Sequence, residues 1–288
     1  MVTPVPGPIT ASEPMPIKTI LLHMANDDRH SARLEVAVGL ARRFGAYVEV
    51  LYVATPVSMP AAVTGRGASY GFIAEATAIA HEKATQVEHE VRQALKDCSY
   101  SWSVVEGDHV ELLAKRAAYA DLAIVTQSHG GTESERVLLH VPDQLPLETP
   151  CPTLVLPHDF PADGSIGRHA VIAWKNTREA GRAVRNALPF LKAAEKVTVL
   201  TVDAPGHTLD SGHDLMIWLE RHGVRSHHQA NIHQGNDVGE VILTCARDSA
   251  ADLLVMGAYG HSRLRELVLG GATRTVLTQL NMPALMSH

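Results

Sequence analysis

With 288 residues, 45% of them hydrophobic, the chain is long enough for one large domain or two small ones, and either would bury a proper core. A formal net charge of −6 works against broad binding to nucleic acid or to an anionic membrane, since both need a concentrated basic face. The apolar runs are short and broken by charges, well below the ~18 consecutive apolar residues of a membrane span, so no transmembrane helix is read.

Residues 1–16 hold five prolines and no Lys or Arg, which is the wrong composition for a signal peptide; a flexible tail is expected. Residues 17–24 then form an aliphatic run with the length of a buried strand. A helix follows over 31–44, with Leu34, Val36, Ala37, Leu40 and Ala41 as its apolar stripe and Gly45 as its end. Residues 47–53 are a second strand, and the segment 56–71, with two prolines and three glycines, is read as an insertion. Later come a helix over 110–119, a strand over 120–125 opened by Asp121, and a proline-opened strand over 149–156. Pro, Asp and Gly gather between 157 and 168, where a domain boundary fits.

From there the series repeats. A strand over 170–174 leads through Thr177, a helix cap, to a helix over 178–191 carrying Ala180, Val184 and Leu188 on its buried face. Residues 196–202 match 47–53 directly, 251–256 match 120–125 after a helix over 238–249, and 281–286 match the closing strand. The offset between halves is 149 at Tyr47 to Lys196 and 131 at Asp121 to Asp252, so the first half carries 18 extra residues in between. The expected domains are 17–160 and 166–288. Strands alternating with helices imply α/β architecture, two tandem doubly wound parallel sheets of five strands each, with ligands beyond the carboxyl ends of the strands.

Cys98, Cys151 and Cys245 are odd in number and lack CxxC spacing, so neither a disulfide framework nor a cysteine zinc site is indicated, and a reducing cytoplasm fits. Among 17 histidines, His222, His227, His228 and His233 cluster, but without ligand spacing; they are read as decorating a surface strand and loop, and no metal site is expected of them.

The most specific feature follows the strand 253–256: Gly257-Ala-Tyr-Gly260, nine residues, then Gly270-Gly271-Ala272-Thr273 opening a helix. Glycines let backbone N–H groups approach a phosphate closely, a helix start adds partial positive charge, and Thr273 offers a hydroxyl. Glycines after a strand also make ordinary tight turns. The whole span, residues 255–263 and 267–273, resembles the universal stress protein family, whose nucleotide-binding members carry G-x2-G-x9-G-[S/T] here. That resemblance covers essentially all of the chain after the tail. It implies a Rossmann-like, adenine nucleotide alpha hydrolase-like fold in which two pseudo-twofold-related domains pair through their last strands. It also implies ATP or AMP as ligand, with no metal beyond a nucleotide-bound magnesium: Gly257, Gly260, Gly270, Gly271, Ala272 and Thr273 lie around phosphates and ribose, Met256 beside adenine and ribose, and Ala173 and Val202 line the base pocket. Two positions differ from the family pattern: Lys175 stands where an aspartate contacts the nucleoside, and is assigned to a phosphate instead, and Gly271 stands where a Ser or Thr follows the third glycine.

In the first half Gly130-Gly131 is followed by Glu133 and Glu135 and no second glycine pair appears, so no nucleotide is expected there. No GxSxG, SxxK or other catalytic motif is present; His261 and Asp252, near the glycine loop, are read as structural, and at most slow ATP hydrolysis is expected. Two functions follow: a stress-response adaptor that binds an adenine nucleotide in its second domain and acts on an unknown protein partner, or a nucleotide-independent interaction or small-ligand scaffold. Further association into a homodimer is left open.

Overall fold

The computed structural model describes residues 17–54, 69–128, 141–161, 164–203, 211–232, 235, 237–260 and 271–288. The tail, most of the 56–71 insertion, Gly130, Gly131, Glu133, Glu135, His233, the loop from His261 and Gly270 lie outside them.

In the first half the strands are β1 (Thr19–Met24), β2 (Tyr47–Val53), β3 (Tyr100–Val105), β4 (Leu122–Thr126) and β5 (Thr153–Leu156), with helices α1 (His30–Phe44), α2 (Ser69–Ala94), α3 (His109–Ala117) and α4 (Val141–Glu148). The second half repeats this with β6 (His169–Ala173), β7 (Lys196–Asp203), β8 (His227–Ile232), β9 (Leu253–Gly257) and β10 (Ala284–Ser287), and α5 (Arg178–Ala193), α6 (Ser211–Arg221), α7 (Val238–Asp248) and α8 (Gly271–Gln279).

Local chemistry sets the element ends. Gly45 closes α1 in the left-handed region at φ 64°, its N–H reaching the Ala41 carbonyl, a conformation that costs glycine nothing. Thr177, Asp108 and Asp237 each cap a helix by accepting an N–H from its first turn, on α5, α3 and α7. Asp121 accepts from the backbone N–H groups of Lys18 and Thr19 at 2.8 and 2.9 Å, and Asp252 does the same for Gly167, Arg168 and His169. The duplicated aspartates therefore tie the start of the first strand of each half to the start of its fourth.

Each half has the order 3-2-1-4-5, and the two are one sheet: β3-β2-β1-β4-β5-β10-β9-β6-β7-β8. Within a half every pairing is parallel; the halves join through the antiparallel pair β5 and β10, where Leu285 faces Leu154. The two expected five-stranded sheets thus merge through their last strands. Alternate strand residues feed two cores. Ile20, Leu22 and Met24 pack with Leu34, Leu40 and Val91 of α1 and α2 and with Val184, Phe190 and Leu219 of α5 and α6. Leu21 and Val125 face the other way, onto Leu113, Leu145, Ile242 and Val276 of α3, α4, α7 and α8. Across the seam, Phe44 and Phe190 meet edge to face with centroids 5.2 Å apart, and the Gln127 amide donates to the carbonyls of Leu277 and Thr278 at the end of α8.

Candidate functional site

A cavity of about 580 Å³ opens at the carboxyl ends of β6, β7 and β9. Its apolar lining comes from Ala173, Leu200, Val202, Ile242 and Met256, and its polar lining from Lys175, Thr177, Glu179, Asp237 and Thr273. The place is dictated by the strand order: β6 and β9 are neighbours whose following helices go to opposite faces, so a crevice opens between them.

Gly257 ends β9 against the first turn of α5. A Cβ there would stand 2.5 Å from the Ala180 nitrogen and 2.7 Å from the Glu179 carbonyl carbon, so only glycine lets strand and helix approach this closely. The loop then turns through Tyr259 at φ 53°, whose N–H donates to the Thr273 hydroxyl at 3.2 Å, tying it to the first turn of α8. Gly260 faces a carboxylate: a Cβ on it would lie 3.6 Å from Glu179 Oε2. Gly271 likewise looks onto Asp237 Oδ2, 3.3 Å from its Cβ position.

Ala173, Lys175, Val202, Met256, Gly257, Gly260, Gly271, Ala272 and Thr273 all line this one cavity; Gly270 lies outside the described residues. Sequence reading missed Trp174, Glu179, Asp237, Val238 and Ile242, and knew Thr177 only as a cap. Asp237 had a usable signal, since Asp237-Val-Gly-Glu240 is a helix-start pattern. Glu179 had none, because nothing local distinguishes a buried first-turn glutamate from a solvated one. Burial raises the Glu179 carboxyl, but hydrogen bonds from its own N–H, Arg178 and Thr177 and the Arg178 charge outweigh it, leaving it below the ordinary value and ionised at neutral pH.

Asp252 is not near the glycine loop as its sequence neighbourhood suggested. It precedes β9, at the amino end of the sheet, and braces backbone. His227 and His228 stand on the edge strand β8 and are hydrogen-bonded to the Thr198 and Thr201 hydroxyls at 2.9 Å, while His222 bonds the Trp218 carbonyl. Among the described residues no group of three or more His, Cys, Asp or Glu is placed to hold a metal ion, and no helix is long and apolar enough to cross a membrane.

The matching crevice of the first half is occupied by its own side chains. His23 faces Leu51 across the ladder as Ala173 faces Leu200, and His109 follows the cap of α3 as Val238 follows that of α7. The two imidazoles meet at 3.0 Å between Nε2 of His23 and Nδ1 of His109. Arg33, ten residues after His23 as Ala183 is ten after Ala173, is fully buried. It donates to the His23 carbonyl at 2.8 Å, to Thr126 Oγ1 at 3.0 Å and to both oxygens of Asp27. Burial first, then the charge of Arg33 and the neighbouring His109, pushes the His23 imidazole well below its ordinary value, so it is neutral.

Two parallel α/β halves, fused through their last strands and bearing a glycine-framed crevice at the carboxyl edge of one of them, define a tandem, Rossmann-like α/β protein. The sequence pattern of the Universal stress protein family matches residues 16–157 and again 167–288, so the chain belongs to that family. Universal stress protein Slr1230 of Synechocystis sp. is 26% identical over 93% of this chain and 99% of its own length. A shorter stretch is 36% identical to universal stress protein MJ0577 of Methanocaldococcus jannaschii, over 16% of this chain and 29% of that one. Among solved structures, a universal stress protein from Archaeoglobus fulgidus superimposes with a TM-score of 0.73 at 18% identity, covering 93% of this chain and 95% of the other. A universal stress protein from Pseudomonas aeruginosa does so with 0.57 at 17% identity, over 94% and 93%.

Proposed function

We propose that the chain is a stress-response adaptor that binds an adenine nucleotide in the second-half cavity, and that the first half binds none. The observation that carries this is convergence: residues from four separate stretches, singled out by the family resemblance, line one cavity whose volume lies within the ~300–1,000 Å³ of small-molecule sites. The apolar group of Ala173, Leu200, Val202, Ile242 and Met256 suits a purine ring, and Lys175 with the α8 start suits its polar end. Occupancy would alter the surface around Gly257, Gly260 and Thr273 that a partner reads. Three free cysteines fit a reducing cytoplasm.

Calorimetric titration of adenosine, AMP and ATP tests this, on the wild type and on Ala173→His, which copies the first half's filler into the second. One-site binding by the wild type that the variant loses supports it. A folded wild type that binds none of the three would favour the nucleotide-independent scaffold, a reading that has one observation behind it, the side-chain-filled crevice of the first half.

A further inference from the structure

We infer that the second-half cavity selects ligands of low negative charge, a nucleoside or nucleoside monophosphate over a triphosphate, and that Glu179 sets this selectivity. The inference rests on the adenine-ligand reading above and names the class of ligand it admits.

The two described glycines that frame the loop each face a carboxylate. Glu179 Oε2 lies beside Gly260 and Asp237 Oδ2 beside Gly271, so a phosphate lying against either glycine would meet a carboxylate. Glu179 is 6% exposed; burial weakens the screening that water and salt give a surface charge, and so lengthens its reach. Its other oxygen, Oε1, is held by Arg178, whose side chain is 67% exposed and points its charge largely into solvent. Of the three helix starts at the cavity, those of α5 and α7 are already served, which leaves that of α8. Asp237 accepts the N–H groups of Gly239 and Glu240 at the start of α7, Glu179 sits in the first turn of α5, and each carboxylate offsets the partial positive charge a phosphate would have used. Lys175, exposed at the rim, is the one cation among the cavity's lining residues that are described. Carboxylates instead suit hydrogen-bond donors such as ribose hydroxyls.

The test is calorimetric titration of the whole chain in EDTA with adenosine, AMP and ATP, repeated on Glu179→Gln, which keeps shape and hydrogen bonding to Arg178 while removing the charge. ATP is expected to bind at least about tenfold more weakly than adenosine or AMP, and the variant to narrow that gap by about tenfold, the effect of removing one close like charge. ATP binding as tightly as AMP to the wild type, or an unchanged gap in a folded variant, overturns the inference while leaving the adenine site standing. Should the variant not fold, the wild-type series decides alone. If none of the three ligands binds, the adenine reading itself falls and takes this one with it.

Discussion

The two halves share a strand order, an aspartate cap on the third helix and a pair of backbone-bracing aspartates, yet their crevices are opposites. In the second, Ala173, Val238 and Gly257 leave room; in the first, His23, His109 and Thr126 stand at the same places and Arg33 and Asp27 complete a buried hydrogen-bonded cluster. A few larger side chains at the carboxyl edge make core in one half of what is a crevice in the other, on the same scaffold. The first half therefore uses for stability the residues that in the second are free for a ligand.

That contrast is open to attack from several sides. Asp27→Ala strands the Arg33 guanidinium in the interior, and losing one partner of a buried ion pair costs about 3–5 kcal/mol. Urea unfolding should register that loss while ligand affinity of the second half, normalised to folded protein, stays unchanged. A variant with wild-type stability would mean that the cluster holds nothing together. Next in size, Ala173→His should reduce adenine-ligand affinity about tenfold or more by filling the cavity, at a comparably small cost in melting temperature.

A third test uses pH. The folded His23 imidazole lies below its unfolded value, so the unfolded chain binds the extra proton: its contribution to stability is complete above about pH 6.5 and is lost as pH falls toward the folded pKa. The slope attributable to it is at most about 1.4 kcal/mol per pH unit, and His23→Leu should flatten the stability profile on the acid side. An unchanged profile would remove His23 from the account. Thr177→Ala, the smallest change, should cost about 1 kcal/mol through the lost cap on α5.

How much of this was written in the sequence depended on how local the signal was. The Gly45 stop, the Thr177 cap and the aliphatic runs of β1, β2, β4, β6, β7 and β9 are decided within a few residues, and each falls within about two residues of where periodicity placed it. The third strand of each half escaped. Both lie at the outer edges of the sheet, where His227-His-Gln-Ala-Asn-Ile needs no continuous apolar face and Tyr100-Ser-Trp-Ser alternates too briefly to stand out. Glycine spacing identified the loop side of the cavity, because the steric demand at Gly257 is a property of one residue. Its carboxylates were not legible: Glu179 approaches Gly260 only through the packing of α5 on β9, and His23 meets His109 across 86 residues of chain.

The antiparallel seam between β5 and β10 has a consequence for behaviour in dilute solution. Because one polypeptide supplies both last strands, their pairing is unimolecular, at an effective concentration of order millimolar that dilution cannot lower. A symmetric pair of separate chains must carry the same residues on both sides of its interface and melts earlier as it is diluted. Here the two sides are free to drift apart in sequence, one toward a filled crevice and one toward an open one, and the fused pair should melt at the same temperature at any protein concentration.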